Sequence, residues 1–276
     1  EQNENHLKFI FSSLIYFYNF ISDKEVLSSN FSLINCIFMA EYLKTKNFKK
    51  TINRFSEIFS IKNEIVINSY SNKYLYAITY KGNIIGEDEI VSLNKNEKIK
   101  KIYILNNKIN SKFKNELEKL SNKNKDIKLT KNINLPILSR EAKIKIKSAD
   151  IIVFCPGTQY SSLYPTYITK NFSEEISKNK KALKVFVTNI HNDHDTKEYD
   201  TNDYILNAYK YLNFSKNYLI NDFFDLNIVN KRLSSNKIIT RKFKNLINIY
   251  GNFKLLNKNI HNGKKIYDII LKYYKK

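Results

Sequence analysis

A turn rich in glycine and hydroxyl side chains is the clearest candidate for chemistry in this sequence. It reads Cys155-Pro156-Gly157-Thr158-Gln159-Tyr160-Ser161-Ser162 and follows the apolar run DIIVF at residues 150–154. Gly157 would let a ligand approach the backbone, and Thr158, Ser161 and Ser162 offer hydroxyl groups. A helix that starts just after the turn would add unpaired N–H groups and partial positive charge. The residues alone favour an ordinary Pro-Gly turn capped by serine, with a phosphate-binding loop as the functional alternative.

A second polar turn, at residues 191–196, combines imidazole and carboxylate groups. It reads His191-Asn192-Asp193-His194-Asp195-Thr196 and follows the apolar run KVFVTNI at residues 184–190. Such groups can bind a metal or act as a general base. Zinc hydrolases need further ligands elsewhere, and the remaining histidines, His6 and His261, have no strand-end context. We therefore predict a polar loop and no metal site, with a metal hydrolase as the alternative.

Several enzyme classes lack their motifs in this chain. The sequence contains no GxSxG elbow, Walker lysine loop or HExxH helix, which disfavours the corresponding hydrolases and NTPases. The two cysteines, Cys36 and Cys155, both lie in apolar runs, so neither a disulfide framework nor a CxxC metal site is available. This cysteine usage favours a reducing compartment, and we predict a cytoplasmic location.

Both polar turns must be held by the elements around them. From residue 101 onward, short apolar runs alternate with helix-length segments. The predicted strands are Lys101–Leu105, Asp150–Phe154, Lys184–Ile190 and Asn217–Ile220. The predicted helices are Arg140–Lys147, Ser161–Asn179 and Asn202–Asn213. This order predicts an α/β fold with a mainly parallel sheet and helices on both faces. Ligands bind outside the carboxyl ends of such strands, which is where the two turns lie.

The first part of the chain predicts helices. Ser32–Lys44 and Phe48–Phe59 have apolar residues three and four apart. His6–Ile21 is also apolar, but it carries Lys8 and Asn19 and is shorter than the ~20 residues of a membrane span. We interpret it as a buried helix, with a membrane anchor as the alternative.

A small antiparallel β insertion is predicted between these helices and the parallel sheet. Glu64–Ser69 and Lys73–Tyr80 alternate or are rich in Ile, Val and Tyr. Lys81-Gly82-Asn83 then turns the chain into Ile84-Ile85. The Lys- and Asn-rich stretch Asn106–Asn132 is either a mobile insertion or a solvated helix, centred on Lys112–Leu120.

Length and composition predict one folded domain with a dispersed basic charge. The 276 residues are 42% hydrophobic and show no Pro- or Gly-rich linker, so we predict a single α/β domain over residues 1–276. The net charge is +21, but only four basic residues are arginines and the lysines run from Lys8 to Lys276. This dispersion is typical of AT-rich coding bias. It favours a solvated lysine surface, with no specific nucleic acid and no membrane as partner; a dedicated nucleic-acid-binding protein is the alternative.

Four segments resemble the CofD-like superfamily, which includes 2-phospho-L-lactate transferase and the YvcK-type gluconeogenesis factors. Ser148–Tyr167 is similar to its AD-hydrophobic-PG-x-x-Y-x-S-hydrophobic-x-P signature, and Asn30–Phe48 to its GHSxGN-LLLAALYE-x-TGDF segment. Gly82–Ile90 resembles its G-x-x-x-GE-x-x-I, and Lys184–Asn189 its V-x-V-x-N block. The four matches occur in the family's order.

Two departures from the family pattern stand out. Phe31 and Ile34 replace the histidine and glycine of GHSxGN, and only Ser32 and Asn35 remain. Members also begin with a strand, a glycine-rich loop and an acidic segment associated with the substrate and metal, and nothing similar precedes Asn30. We therefore expect the domain to be N-terminally incomplete by about one βαβ unit, which takes roughly 30 or more residues.

The resemblance implies a Rossmann-like sheet that binds a nucleoside diphosphate conjugate of the GDP or UDP type. By position, Gly157, Thr158 and Ser161 would hold the diphosphate, Asn189 would face the nucleotide, and Asn35 would line the same crevice. Pro156 and Ser162 complete the predicted phosphate-binding loop. Each could equally have a structural role; Asn35, within an apolar helix, could cap or bridge the backbone.

The resemblance leaves two functions open. A transferase would pass a phospholactyl-type group from a GMP-activated donor to a deazaflavin alcohol and release GMP, with divalent metal help. A YvcK-type regulatory protein would bind a UDP-sugar without established chemistry. The expected cofactor is Mg²⁺, with its ligands mainly in the upstream segment, and a homodimer is a further candidate assembly.

Overall fold

The computed structural model describes residues 2–22, 32–93, 96–214, 216–230, 245–256, 258 and 260–275 of the chain. It divides into two compact units, residues 1–67 and residues 68–276. Each unit is described by itself below.

The N-terminal unit consists of three helices, α1 (Gln2–Ile21), α2 (Leu33–Thr45) and α3 (Phe48–Ile58). Asn47 begins α3, because its side chain accepts the Lys50 N–H at 3.0 Å. Phe9, Ile37 and Phe55, one from each helix, form the core of the unit. The helices predicted over residues 32–44 and 48–59 are confirmed.

A buried charge joins the three helices. The Glu41 side chain of α2 is fully buried, and its Oε1 accepts a hydrogen bond from Ser13 Oγ of α1 at 3.0 Å. Lys44 Nζ lies 2.6 Å from the same oxygen, and Arg54 Nε of α3 lies 3.0 Å from Oε2. Helix α1 buries one face, which carries Phe9, Ser13 and Phe17. The predicted buried helix is therefore corrected to a helix buried on one side, because Leu7, Phe11, Ile15 and Tyr18 are each more than half exposed. Within the described residues, no helix is long and apolar enough to cross a bilayer.

A three-stranded antiparallel sheet opens the second unit. Its strands are β1 (Tyr74–Thr79), β2 (Ile84–Gly86) and β3 (Ile99–Leu105), in the order β2-β1-β3. Gly82 turns β1 into β2 with a φ of 89°, and a Cβ there would overlap the Asn122 side chain. The predicted antiparallel group is therefore confirmed, with two corrections to its members.

The first correction concerns Glu64–Ser69, which forms no strand. The backbone has no ladder partner there, and the Asn68 carbonyl instead accepts the Ser139 N–H at 2.8 Å. The second concerns Lys101–Leu105, which we placed in the parallel sheet. It belongs to β3, which pairs antiparallel with β1 along its length.

The parallel sheet has four strands in sequential order, β4 (Ile151–Phe154), β5 (Leu183–Val187), β6 (Leu226–Asn230) and β7 (Ile247–Gly251). Val153 pairs with Val185, and Phe186 pairs with Asn227. The sequence analysis missed β6 and β7 and wrongly made Asn217–Ile220 a strand. That segment leads into a 3₁₀ turn (Ile220–Asp222), because the Asp222 carboxylate accepts the Leu219 N–H at 2.9 Å.

The remaining helices are α4 (Glu87–Val91), α5 (Ser111–Glu118), α6 (Asn122–Lys131), α7 (Arg140–Ser148), α8 (Tyr164–Tyr167), α9 (Phe172–Lys178), α10 (Thr201–Leu212) and α11 (Gly263–Tyr274). Successive side chains of β5 point to opposite faces of the sheet. Phe186 belongs to the core that includes Tyr204 and Ile205 of α10, whereas Val185 packs in a second core with Ile266 of α11. The predicted α/β fold, with helices on both faces of a mainly parallel sheet, is confirmed.

Two other helix predictions are refined. Asn106–Asn132, for which a mobile insertion was the alternative, contains α5 and α6. The helix predicted over Ser161–Asn179 is broken into a π-helical turn (Gln159–Leu163), α8 and α9. Asn171, with a left-handed φ of 74°, separates α8 from α9.

Candidate functional site

The loop predicted to bind phosphate lies at the carboxyl end of β4. Residues 155–158 follow the strand directly and enter the π-helical turn Gln159–Leu163. Gly157 is half-buried and lies outside both the strand and the helix. The placement predicted for this loop is therefore confirmed, whereas its ligand stays a prediction.

Asn189 connects this loop to the neighbouring strand. It lies two residues beyond β5, and its side chain is only 5% exposed. The Gly157 N–H donates to Asn189 Oδ1 at 3.1 Å, and Asn189 Nδ2 donates to the Gly157 carbonyl at 2.9 Å. The structure thus brings these two predicted site residues together. It also shows that the N–H of Gly157, a residue that the resemblance assigns to the diphosphate, is used within the protein.

Gln159 is a site residue that the sequence analysis did not select. Its side chain is 1% exposed, and its Nε2 donates to the Gly157 carbonyl at 2.8 Å. Its Oε1 is buried and has no hydrogen-bond partner in the described part of the chain. Its position inside the loop was the only available signal, because the partners of its side chain depend on the folded loop.

Hydroxyl and backbone donors remain on the outer side of the loop. Thr158 Oγ1 and Ser162 Oγ lie 2.8 Å apart, and both residues are exposed. Ser161 and Ser162 stand in the first turn of the helical segment, where N–H groups have no intrahelical acceptor. Neither N–H is hydrogen-bonded to a described residue outside the helical segment. The loop therefore presents hydroxyl and N–H donors of the kind that bind anions.

The polar turn at residues 191–196 contacts this loop through a hydrogen bond to its backbone. Asp195 Oδ2 accepts the Tyr160 N–H at 2.8 Å, and burial, the largest effect, raises the pKa of the Asp195 carboxyl group. His191 and His194 are exposed. Among the described residues, no three His, Cys, Asp or Glu side chains are grouped so that they could hold a metal. The described residues therefore do not fit a Mg²⁺ site by themselves.

The sequence analysis was wrong about the surroundings of one histidine. His261 Nε2 lies 3.1 Å from the Thr188 carbonyl, immediately beyond β5, so His261 does have a strand-end context. Burial, the largest effect, lowers the pKa of His261. The contact was invisible in the sequence because 73 residues separate its partners.

Buried tyrosines hold the inner side of the π-helical turn. The hydroxyl oxygens of Tyr160 and Tyr199 lie 2.6 Å apart. Burial raises the pKa of Tyr160 to about 12 and raises the pKa of Tyr199 still further. Tyr164 stacks on Tyr211 of α10, with their ring centres 4.2 Å apart. These neutral phenols fix the turn against the core.

A second segment singled out in the sequence, Gly82–Ile90, meets the loop in space. Its helix α4 begins directly after β2, where the Gly86 N–H donates to the Glu89 carboxylate at 2.9 Å, and α4 contacts the π-helical turn. Burial, followed by the charge of Asp88, raises the pKa of Glu87 in this helix. Segments about seventy residues apart in sequence therefore adjoin the same turn.

Asn35 belongs to the N-terminal unit. It is exposed in the first turn of α2, and its backbone N–H donates to Ser32 Oγ at 3.4 Å. This contact agrees with a local role in the helix start. Its assignment to the nucleotide crevice stays a prediction, and Phe31 lies outside the described residues.

Comparison with solved structures identifies a related fold. BH3568 of Bacillus halodurans, a member of the UPF0052 family, superposes with a TM-score of 0.64 at 20% sequence identity. The match covers 87% of this chain and 72% of that protein. A second crystal structure of BH3568 gives a TM-score of 0.62.

Sequence comparisons relate the chain to curated proteins. A "Putative gluconeogenesis factor" of Aquifex aeolicus (strain VF5) is 27% identical over 71% of this chain and 50% of its own length. A protein of the same name from Thermoanaerobacterium thermosulfurigenes is 25% identical over 52% of this chain and 37% of its own length. The chain thus spans half or less of the length of these relatives. The sequence profile of the family described as 2-phospho-L-lactate transferase CofD matches residues 13–260. This chain therefore belongs to the CofD family.

Proposed function

We propose that the chain binds a nucleoside diphosphate conjugate, with the diphosphate at the loop Pro156–Ser162. The observation that carries this proposal is the meeting of two strand-end segments, the loop after β4 and Asn189 after β5. Ligands of parallel sheets bind outside such ends. Because Asn189 takes the Gly157 N–H, we assign the phosphate contacts to the hydroxyl groups of Thr158, Ser161 and Ser162 and to the N–H groups of Ser161 and Ser162.

The reaction that fits this site is transfer of a phospholactyl-type group. An acceptor hydroxyl oxygen would form the new bond to phosphorus, and the bond to the nucleoside monophosphate would break. The monophosphate would leave with the electron pair, and the acceptor proton would pass to a base. The loop would contribute positioning and charge stabilisation, which supply most of the catalysis in phosphoryl transfer.

A regulatory protein that binds a UDP-sugar is the second candidate. The observation that favours it is the name shared by both curated relatives, which describes a gluconeogenesis factor and no transferase. This candidate uses the same loop for the diphosphate and requires no acceptor.

The binding proposal is tested with Gly157→Val. A Cβ at Gly157 would lie 3.7 Å from the Leu163 side chain, an ordinary contact, so we expect the fold to persist. The valine methyl groups would press on Leu163, which lies in the same π-helical turn as Ser161 and Ser162, so GDP or UDP-glucose should bind about tenfold or more weakly in calorimetry. Gly263→Val is the matched control, because a Cβ at Gly263 meets no atom within 4 Å. Equal nucleotide affinity in both variants would contradict the proposal.

Product analysis separates the two candidate functions. The chain is incubated with a phospholactyl donor activated with GMP and an alcohol acceptor, and GMP is followed by chromatography. Acceptor-dependent GMP release supports the transferase. Tight binding of a UDP-sugar without release of a nucleoside monophosphate supports the regulatory protein.

A further inference from the structure

His261 is held at the carboxyl end of β5 by a turn that follows β7. The Asn262 N–H donates to the Phe253 carbonyl at 2.6 Å, which brings His261 back to the sheet. The Phe253 N–H donates to the side chain of Asn230, the last residue of β6, at 3.1 Å. The Asn262 side chain accepts the Lys265 N–H at 3.1 Å, where α11 begins. Contacts to β6 and to α11 therefore fix the backbone on both sides of His261.

The contact with Thr188 determines which ring nitrogen of His261 carries a proton. A carbonyl oxygen only accepts hydrogen bonds, so Nε2, which lies 3.1 Å from the Thr188 carbonyl, is the protonated nitrogen. Burial, the largest effect, lowers the pKa of His261, which keeps the ring neutral at about pH 7. In this neutral form Nδ1 carries a lone pair and accepts hydrogen bonds.

The Nδ1 atom of His261 is available to a ligand. Among the described residues it has no hydrogen-bond partner. The side chain is half-buried, and Nδ1 is not one of the buried atoms that lack a partner in the described part of the chain, so it is open to solvent. His261 thus presents one free acceptor in a fixed position.

His261 and the loop after β4 lie on opposite sides of the end of β5. Gly157 is on the β4 side, where it bonds to Asn189. The Thr188 N–H donates to the Ile228 carbonyl of β6 at 3.0 Å. The N–H and C=O groups of one extended residue point to the same side, so the Thr188 carbonyl and His261 lie on the β6 side. Neighbouring strands are roughly 5 Å apart, which makes the distance from β4 to β6 about 10 Å.

A nucleoside diphosphate conjugate is built to cross such a distance. Its diphosphate is bonded to a ribose on one side and to the conjugated group on the other. With the diphosphate at the loop after β4, one of these neighbours extends over Asn189 toward His261. Sugar hydroxyl groups are hydrogen-bond donors, which match the free acceptor of the histidine.

We propose that His261 recognises a sugar of the bound conjugate, with Nδ1 accepting a hydrogen bond from one of its hydroxyl groups. The assignment rests on the diphosphate position proposed above. The sugar is either the ribose of the nucleoside or a sugar conjugated to the diphosphate. His261 is then a specificity-determining residue, since it distinguishes a hydroxyl-bearing ring from other groups at this position.

Calorimetry with two pairs of probes tests the proposal: UDP with UDP-glucose, and GDP with GDP-mannose. His261→Phe keeps a flat ring but has no acceptor, so the nucleotide sugar that binds should bind about tenfold more weakly. His261→Gln can still donate to the Thr188 carbonyl and still accept through Oε1, so its affinity should stay within about threefold of the unmodified chain. Equal weakening of both members of a pair by His261→Phe identifies the ribose, and weakening of the nucleotide sugar alone identifies the conjugated sugar.

Nitrogen NMR examines the same atom in the unmodified chain. The sequence has four histidines, and the spectrum of His261→Gln identifies the signals of His261 by their loss. At about pH 7 the Nδ1 signal should be that of an unprotonated nitrogen, and it should shift when the nucleotide sugar is added. A protonated Nδ1 in the free chain would overturn the proposal.

The outcomes separate this assignment from the diphosphate proposal. If the nucleotides bind and Gly157→Val weakens them, but His261→Phe binds as tightly as the unmodified chain, the role of His261 is overturned and the diphosphate position stands. Equal weakening by His261→Phe and His261→Gln also overturns it, because the loss would then not depend on an acceptor. If none of the four probes binds at millimolar concentration, the proposed function fails, and the role of His261 fails with it.

Discussion

At the scale of single residues, the candidate site depends on side chains that hold the backbone. Asn189 binds both polar groups of the Gly157 peptide unit, and Gln159 adds a second donor to the same carbonyl. The Asp195 carboxylate accepts the N–H of Tyr160, further along the same loop. The exposed hydroxyls of Thr158 and Ser162 hydrogen-bond to each other, so only one hydroxyl hydrogen of this pair is left to donate to a ligand.

The buried Asp195 carboxyl group makes stability depend on pH. Its folded pKa lies above its ordinary value of 3.8, so its favourable contribution is full below that value and is lost as pH rises through the folded pKa. Asp195→Asn cannot ionise and can still accept the Tyr160 N–H. The variant should therefore be more stable relative to the unmodified chain at about pH 7 than at about pH 4. Its free energy of unfolding minus that of the unmodified chain should be larger at the higher pH.

Urea titrations at the two pH values measure this difference. Asp268→Asn, an exposed carboxylate on α11, is the control and should show no such change. A pH-independent difference for Asp195→Asn would show that burial does not raise the pKa of Asp195.

Residue types predicted much of the site, whereas side-chain partners could not be predicted. Gly157 and Asn189 were selected separately, and parallel pairing of β4 with β5 is what brings them together. Asp195 was considered as part of a polar loop, as a metal ligand or as a general base, because the sequence does not show that its carboxylate turns toward Tyr160. Contacts between distant segments depend on packing, which one sequence leaves unspecified.

At the scale of elements, the Glu41 side chain links the three N-terminal helices. Glu41→Ala should destabilise this unit by roughly 1–3 kcal/mol, because it leaves the buried Ser13 hydroxyl without its acceptor, whereas Lys44 and Arg54 remain in contact with water. Hydrogen exchange of the amides in α1, α2 and α3 measures the effect. Glu57→Ala removes an exposed carboxylate from α3 and should change exchange little; similar exchange in both variants would contradict a central role for Glu41.

Elements with a clear apolar period were predicted well, and those with buried polar residues were not. Helices α2 and α3 were predicted from apolar residues three and four apart, and α7 and α10 from helix-length segments between strands; each helix is found. Strand β6 was missed because Asn227 interrupts its apolar run. In the folded sheet Asn227 accepts from Thr188 Oγ1 at 3.1 Å and donates to Asn248 at 2.9 Å, which makes its burial acceptable.

At the scale of the whole molecule, the net charge of +21 predicts a weak and unselective attraction to nucleic acid. Binding to duplex DNA should not depend on base sequence and should fall steeply with salt, by about 0.9 in the log–log slope for each phosphate neutralised. Fluorescence anisotropy with two unrelated duplexes over a salt series measures both properties. Tight, sequence-selective binding at physiological salt would contradict a dispersed lysine surface.

The position of β4 in the sheet has a dynamic consequence for the candidate site. Among the described strands, β4 lies at the edge and pairs only with β5, over four residues. A short edge strand frays more readily than a central one, so local opening of β4 would carry the Pro156–Ser162 loop with it. The hydrogen bonds made by Asn189 lie at the end of β4 where that fraying would begin. A ligand that spans the loop and the end of β5 would close the same gap, and its binding would slow amide exchange along β4 as well as within the loop.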